Sequence, residues 1–94
     1  MARKIPDYVG EHFAKHSIDW PREIVRPRIV CADGMEYSVQ ASRGHYCEPR
    51  DEVGPWTALE VWSYRRGKWL THDPEGYVDR SKINRRIHRH GGAV

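Results

Sequence analysis

The spacing of apolar and aromatic residues divides the chain into a helix, a group of short strands and a second helix. In residues 7–16 these side chains recur at helical intervals. They are Tyr8, Val9, His12, Phe13 and His16. Asp7 precedes them and is suited to cap the helix. Pro21 and Pro27 then hold the chain extended, so residues 1–27 predict a short N-terminal helix and a connector that we expect Trp20 to anchor.

The middle of the chain has the alternating pattern of an antiparallel sheet. Asp33-Gly34 separates two alternating runs, and this dipeptide favours a two-residue type I′ turn with positive φ at both positions. In that register Val30 faces Tyr37, and Cys31 lies on the opposite side. Residues 56–64 are apolar on both sides, which is typical of a central strand. Further turns at 65–68 and 73–76 complete a sheet predicted over residues 28–78.

Residues 79–90 predict a basic C-terminal helix. Asp79 is suited to cap it, Ile83 and Ile87 mark its buried side, and Gly91 follows its end. The expected fold is therefore α+β. It consists of a small twisted, mostly antiparallel sheet of three to five strands, with the C-terminal helix packed on one face and a short N-terminal helix. A chain of 94 residues is expected to form one domain over residues 1–94.

Composition and charge narrow the function classes. Hydrophobic residues make up only 38% of the chain, but four Trp and five Tyr argue against disorder. The net charge of +3 comes from 16 Lys and Arg against 13 Asp and Glu. Five of those cations lie in residues 80–90, so the rest of the chain has 11 basic and 13 acidic residues, or −2. Such a basic element attracts phosphates or acidic protein surfaces.

The cysteine and histidine pattern does not predict an enzyme, a cofactor or a metal site. His45 and Cys47 lie on one side of an extended segment, and a Cys47 thiol enzyme is the weakest of the three functions considered. Cys31 and Cys47 are 16 residues apart, whereas structural zinc sites supply ligands in close pairs. We therefore expect both cysteines to be small buried side chains.

Two groups of residues are predicted to contact a partner. One is the outer side of the C-terminal helix with the nearby 65–68 loop, and the other is the Gly- and Pro-rich loop before the central strand. The predicted contact residues are Arg43, Tyr46, Arg50, Trp56, Arg65, Arg66, Lys82, Arg85, Arg86 and Arg89. For the helix, three interpretations stay open: a solvated surface, a protein interface, or a nucleic-acid or nucleotide site. Trp62 is expected to be a core residue rather than a contact.

Features of the sequence also bear on location. The start MARKIPDYVG lacks the apolar stretch of a signal peptide, and no run approaches the roughly 18 apolar residues needed to cross a bilayer. Two cysteines are too few for a disulfide framework. We therefore expect a cytosolic protein with reduced thiols and no membrane contact. Symmetric dimers are common, so a homodimer is also considered.

Three stretches resemble a family of small, mostly uncharacterised proteins from tailed bacteriophages: CADGMEYSVQA, HYCEPRDEVGPWTALEV and GYVDRSKINRRIHRHGG. The matching motifs lie at 32–34, 38–41, 46–50 and 54–61, and Asp79 stands where the family pattern has a proline. The resemblance implies phage or prophage origin and action in the host bacterial cytoplasm. It suggests an anti-CRISPR-like inhibitor that binds a host defence protein or ribonucleoprotein complex. The alternative is a nucleic-acid or nucleotide binder that uses the basic helix and aromatic residues.

Overall fold

The computed structural model describes residues 4–18, 25–42, 45, 47–48, 54–72 and 77–94. The elements in chain order are α1 (Tyr8–Lys15), β1 (Ile29–Val30), β2 (Met35–Gln40), β3 (Ala58–Arg65), β4 (Lys68–His72), β5 (Val78–Asp79) and α2 (Arg80–Arg89). The sheet is antiparallel with the order β1-β2-β3-β4, and β5 pairs with the start of β3. The predicted α+β fold is confirmed, and the described residues form five strands.

Both helices begin where their sequences predict and pack against the core, but Asp79 stands at the N-cap position of α2 without making the expected side-chain capping bond. The Asp7 side chain caps α1 by accepting a hydrogen bond from the Gly10 N–H at 3.1 Å. Val9 is fully buried, and so are Ile83 and Ile87 on α2. These residues form one core with the alternate side chains of β2 and β3 that face α2. The main sheet residues in that core are Met35, Tyr37, Val39, Leu59 and Val61.

The β1–β2 hairpin differs from its prediction by one residue. Ile29 pairs with Tyr37, and the Cys31 N–H donates to the Met35 carbonyl at 2.7 Å. The expectation that Val30 faces Tyr37 is therefore wrong. A one-residue shift in register moves every side chain of a strand to the other face. As a result Ile29 and Cys31 lie in the core, whereas Val30 is 41% exposed.

The loop chemistry explains this shift. The connection has three residues, 32–34, and of the predicted turn pair Gly34 has a positive φ of 91° whereas Asp33 does not. The Asp33 Oδ1 accepts a hydrogen bond from the Met35 N–H at 3.0 Å, which favours the longer loop. Positive φ at two successive turn positions occurs instead at Arg66 and Gly67, between β3 and β4.

The segment after α2 returns to the edge of the sheet. Gly91 and Gly92 have φ values of 91° and 83°, and the Gly92 carbonyl accepts from the Ala32 N–H at 3.0 Å. The Val94 N–H then donates to the Val30 carbonyl at 2.8 Å. Because α2 starts at β5 and ends beside β1, it crosses one face of the sheet.

A buried arginine fixes the connector between α1 and β1. Arg26 is 5% exposed, and its guanidinium donates to the carbonyls of His16 and Ala41 at 2.8 Å each. The same guanidinium lies 3.9 Å from the centre of the Phe13 ring. Trp20, which was expected to anchor this connector, lies outside the described residues.

Candidate functional site

The outward side of α2 is a surface of positive charge without acidic residues. Lys82, Arg85 and Arg89 are exposed, and Arg86 is partly buried beside them. Their spacing places them along one side of the helix over about 10 Å. Within the described part of the chain, Lys82, Arg85 and Arg89 form no ion pair. We call these four residues the basic face.

The β3–β4 hairpin adds further cations at the C-terminal end of α2. Arg65 pairs with Met35 on one side and Lys68 on the other, and Met35 lies on the sheet face that α2 covers. Directly opposed residues share a face, so Arg65 and Lys68 point to the same side as α2. Arg66 is exposed at the turn of this hairpin. The structure therefore brings the predicted Arg65 to the same side as the helical cations and places Arg66 at the adjoining turn.

Asp33 connects this hairpin to the end of α2. Its Oδ2 lies 2.6 Å from His90 Nδ1 and 3.7 Å from Arg65 Nη2. The Asp33 carbonyl also accepts from Arg65 Nη1 at 3.2 Å. The Met35 N–H, and then His90, hold the pKa of the Asp33 carboxyl below its usual value. Asp33 is therefore charged at neutral pH and offsets part of the positive charge at this end.

Trp56 occupies a position different from the one predicted. It is 7% exposed, its ring packs edge-on against Phe13 at 5.5 Å, and the Arg26 guanidinium lies 5.3 Å away. This burial corrects the expectation that Trp56 is a surface contact. Three other predicted contacts on the same loop, Arg43, Tyr46 and Arg50, lie outside the described residues.

Aromatic side chains occupy the sheet face opposite α2. Trp62 and Tyr64 alternate with core residues on β3, and Trp69 pairs with Tyr64 from β4. Trp69 is 55% exposed, and its ring centre lies 6.0 Å from that of Trp62. The Arg28 guanidinium stacks 3.5 Å above the Tyr64 ring. We call Trp62, Tyr64 and Trp69 the aromatic face. The sequence analysis did not predict this surface, because it assigned Trp62 to the core.

The position of these two faces bears on the nucleic-acid hypothesis. The basic face lies on the α2 side of the sheet, whereas the aromatic face lies on the other side. A nucleic-acid strand on the basic face would not reach the aromatic rings without passing around an edge of the sheet. The geometry therefore does not bring together the phosphate and base contacts that this hypothesis combines.

The two thiols lie in the core. Cys31 is 2% exposed, and burial raises its pKa to about 11. Cys47 is 1% exposed, and its Sγ donates to the Ser42 carbonyl at 3.1 Å. His45 Nδ1 lies 2.7 Å from Ser42 Oγ. These positions fit small packed side chains better than an accessible nucleophile. Among the described residues, no group of three His, Cys, Asp or Glu side chains is arranged to hold a metal ion.

Comparison of the chain with protein-family models, with curated proteins and with solved structures found no match. Neither helix in the described part of the chain has the length and apolar character needed to cross a bilayer.

Proposed function

We propose that this chain is a non-enzymatic binding protein that docks its basic face on an acidic surface of a protein partner. The observation that carries this proposal is the set of exposed cations on α2 that have no carboxylate partner among the described residues. Lys82 and Arg86, and also Arg85 and Arg89, are like charges four residues apart, each pair costing the helix about 0.2–0.5 kcal/mol. An acidic partner would remove this repulsion and gain complementary charge.

The proposed partner is a bacterial defence complex, such as a CRISPR effector, inhibited stoichiometrically in the host cytoplasm. Support comes from the resemblance of residues 31–61 and 76–92 to tailed-phage proteins. It also comes from the burial of both thiols, because a partner can reach the basic face but not Cys31 or Cys47. A ribonucleoprotein complex offers acidic protein surface and bound nucleic acid side by side.

The test uses two variants with the same change in net charge. Arg85→Gln/Arg89→Gln neutralises exposed positions of the basic face, and Lys4→Gln/Lys15→Gln neutralises two exposed lysines elsewhere. The tagged chain is used to isolate its complex from bacterial lysate treated with nuclease, and each variant is then titrated against the purified complex by calorimetry. We expect the arginine variant to bind at least about tenfold more weakly and the lysine variant to bind like the wild type. Equal affinity of both variants would remove the basic face from the mechanism.

A nucleic-acid or nucleotide site on the basic face is the second candidate. The cations suit phosphate contacts. Because the aromatic face lies on the opposite side of the sheet, base stacking would not add to these contacts, and the binding would be mainly electrostatic. Binding would then weaken steeply between 50 and 200 mM salt, with a log–log slope of about −0.9 for each duplex phosphate contacted. A nuclease-resistant complex with a shallow salt dependence would reject this candidate.

Formation of a homodimer stays a prediction, and sedimentation of the purified chain measures it.

A further inference from the structure

The β3–β4 hairpin places cations beside exposed aromatic rings. Residues 61–72 contain three cations and no acidic residue, and the cations are Arg65, Arg66 and Lys68. Tyr64 and Trp69 flank them and pair directly with each other across the two strands. Cations next to aromatic rings are the usual features of proteins that bind single-stranded nucleic acids. The hairpin shares no residue with the basic face, so a ligand here would be additional to the partner proposed above.

Trp69 presents the most exposed ring of the aromatic face. It is 55% exposed, whereas Trp side chains are on average highly buried. Its ring centre lies 6.0 Å from that of Trp62, with an angle of 53° between the two planes. β4 is the last strand in the sheet order, and Trp69 is not part of the core. A planar base that stacks on Trp69 therefore leaves the packing between the sheet and α2 intact.

The neighbouring Tyr64 supplies a second stacking position. The Arg28 guanidinium lies 3.5 Å above its ring, and Arg28 Nη1 lies 3.5 Å from Glu36 Oε1. Unpaired bases stack on aromatic rings and on arginine guanidinium planes, and the outer side of Arg28 is such a plane. Because Tyr64 and Trp69 lie opposite each other on adjacent strands, their Cβ atoms are about 5 Å apart. The two positions are therefore close enough for consecutive bases of one strand.

Arg66 and Lys68 are the cations that phosphates next to these bases would meet. Both are exposed, and within the described part of the chain neither forms an ion pair. Arg66 occupies the turn itself, and Lys68 directly precedes Trp69 on the edge strand. Arg65, by contrast, lies 3.7 Å from Asp33 on the α2 side. The end of the hairpin thus adds two uncompensated positive charges beside the rings.

The acidic residues on the same side of the sheet as the rings lie mostly away from this turn. Three of them are grouped at the beginning of β3: Glu60, and Glu48 and Asp79, which both pair with Ala58. Glu36 lies nearer to the turn, but its side chain is 19% exposed and paired with Arg28. Phosphates therefore meet a positive potential at the turn and a negative one at the beginning of β3. This charge distribution places an anionic strand across the hairpin end of the sheet.

We propose that the β3–β4 hairpin binds single-stranded nucleic acid. Two consecutive bases stack on Trp69 and on the Arg28–Tyr64 pair, and the phosphates next to them lie at Arg66 and Lys68. Unlike a strand on the basic face, a strand at this position meets rings and cations together. Stacking tolerates any base, so the site has little sequence preference. The proposal does not depend on the protein partner at the basic face, because the ligand and the contact residues are different.

The first experiment titrates the full chain with two octamers of equal charge, one of deoxythymidine and one of abasic deoxyribose phosphate. NMR follows the backbone amides and the tryptophan indole N–H groups. We expect the thymidine octamer to shift the Trp69 indole and the amides of residues 64–69, but not the indole of Trp56, which is buried against Phe13. The abasic octamer should bind at least about fivefold more weakly, because it cannot stack. Equal affinities, or shifts confined to α2, would overturn the proposal.

Substitutions at Trp69 test the stacking contact. Trp69→Thr removes the ring and is expected to weaken binding of the thymidine octamer at least about fivefold, with no effect on the abasic octamer. Trp69→Phe keeps a ring and should bind the thymidine octamer within about twofold of the wild type. Equal binding by the threonine variant and the wild type would reject stacking at this position. If the threonine variant does not fold, the indole shifts of the wild-type chain decide the contact alone.

A matched pair of charge variants tests the phosphate contacts. Arg66→Asn/Lys68→Gln removes the two hairpin cations, and asparagine suits the positive φ of 52° at position 66. Lys4→Gln/Lys15→Gln makes the same change in net charge elsewhere. We expect the hairpin variant to make the log–log salt slope shallower by about 1.4, at about 0.7 for each single-strand phosphate, and the lysine variant to leave the slope unchanged. Equal slopes would reject these contacts. Loss of binding in Arg85→Gln/Arg89→Gln instead would assign the ligand to the basic face and overturn the proposal.

Discussion

At the scale of single residues, Asp7 connects the two helices. Besides capping α1, it accepts hydrogen bonds from Arg80 through both Nε and Nη2, and from Asn84 Nδ2 at 2.9 Å. Asn84 in turn accepts from the Val9 N–H at 3.0 Å. Arg80 is the largest cause that lowers the pKa of Asp7 to about 2, with smaller contributions from Asn84 and Gly10.

The lowered pKa of Asp7 predicts that the free energy of unfolding decreases as the pH falls. The folded state favours the charged carboxylate, so its contribution is present above the unfolded pKa near 4 and is lost as the pH falls toward 2. Asp7→Asn keeps a good capping side chain but removes the charge. The side chain is 52% exposed, so after solvent screening we expect a loss of about 1 kcal/mol at pH 7.

Urea unfolding of wild type and Asp7→Asn at pH 7, 4 and 2 measures this contribution. The difference between the two proteins should shrink as the pH falls. Glu11→Gln, which removes an exposed carboxylate from the same helix, is a control for general charge effects on the pH profile. A difference for Asp7→Asn that stays constant down to pH 2 would show that the charge of Asp7 does not contribute.

Single residues also show what the sequence does and does not predict. Asp7 was predicted as a helix cap because capping depends on residues three or four positions away. Its bond to Arg80 joins residues 73 positions apart, and no local pattern indicates it. The burial of Trp56 is also not indicated by any local pattern, because it depends on Phe13 and Arg26, which approach Trp56 only in the folded chain.

At the scale of elements, α2 lies where the sequence predicts it, whereas the β1–β2 hairpin has a different register from the predicted one. The position of α2 follows from local signals: Ile83 and Ile87 within it and Gly91 after it, whereas Asp79 precedes it without a side-chain capping bond. The hairpin register depends on a side-chain bond of Asp33 and on which of two adjacent apolar residues enters the core. A two-residue and a three-residue loop both fit the Asp33-Gly34 pattern, and the core selects between them.

The cations of α2 predict that a charge reversal stabilises the chain. Lys82→Glu replaces a repulsive pair with an attractive Glu–Arg pair four residues apart, in the favourable order, and it places an acid near the helix N-terminus. Position 82 is exposed, so no packing is disturbed. We expect unfolding to require about 0.5–1 kcal/mol more free energy, and binding to the acidic partner to weaken.

Thermal unfolding and partner titration of Lys82→Glu and Lys82→Gln test this expectation together. The glutamine variant removes repulsion without adding attraction, so its stability should lie between those of the other two proteins. A glutamate variant that is less stable than wild type would mean that Lys82 has an intramolecular role. A more stable variant with unchanged affinity would place the interface elsewhere.

At the scale of the whole molecule, the position of α2 determines which side of the sheet is buried and which side is left uncovered. Its crossing from β5 to β1 covers one face and leaves Trp62 and Tyr64 on the other. The sequence of β3 is apolar on both sides, so it predicts a central strand but not which side the helix covers. That choice is made by the connections at the two ends of α2, which include the pairing of Val94 with Val30.

This arrangement predicts that the basic face and the aromatic face act independently. Trp69→Thr removes the most exposed ring of the aromatic face and keeps a residue suited to a strand. Because the sheet separates it from α2, we expect partner affinity within about twofold of wild type, and additivity with Arg85→Gln/Arg89→Gln within about 0.5 kcal/mol. Calorimetric titration of the wild type, both variants and their combination gives a complete cycle. A loss of tenfold or more for Trp69→Thr alone would mean that the partner wraps around the sheet edge and contacts both faces, as the nucleic-acid hypothesis requires.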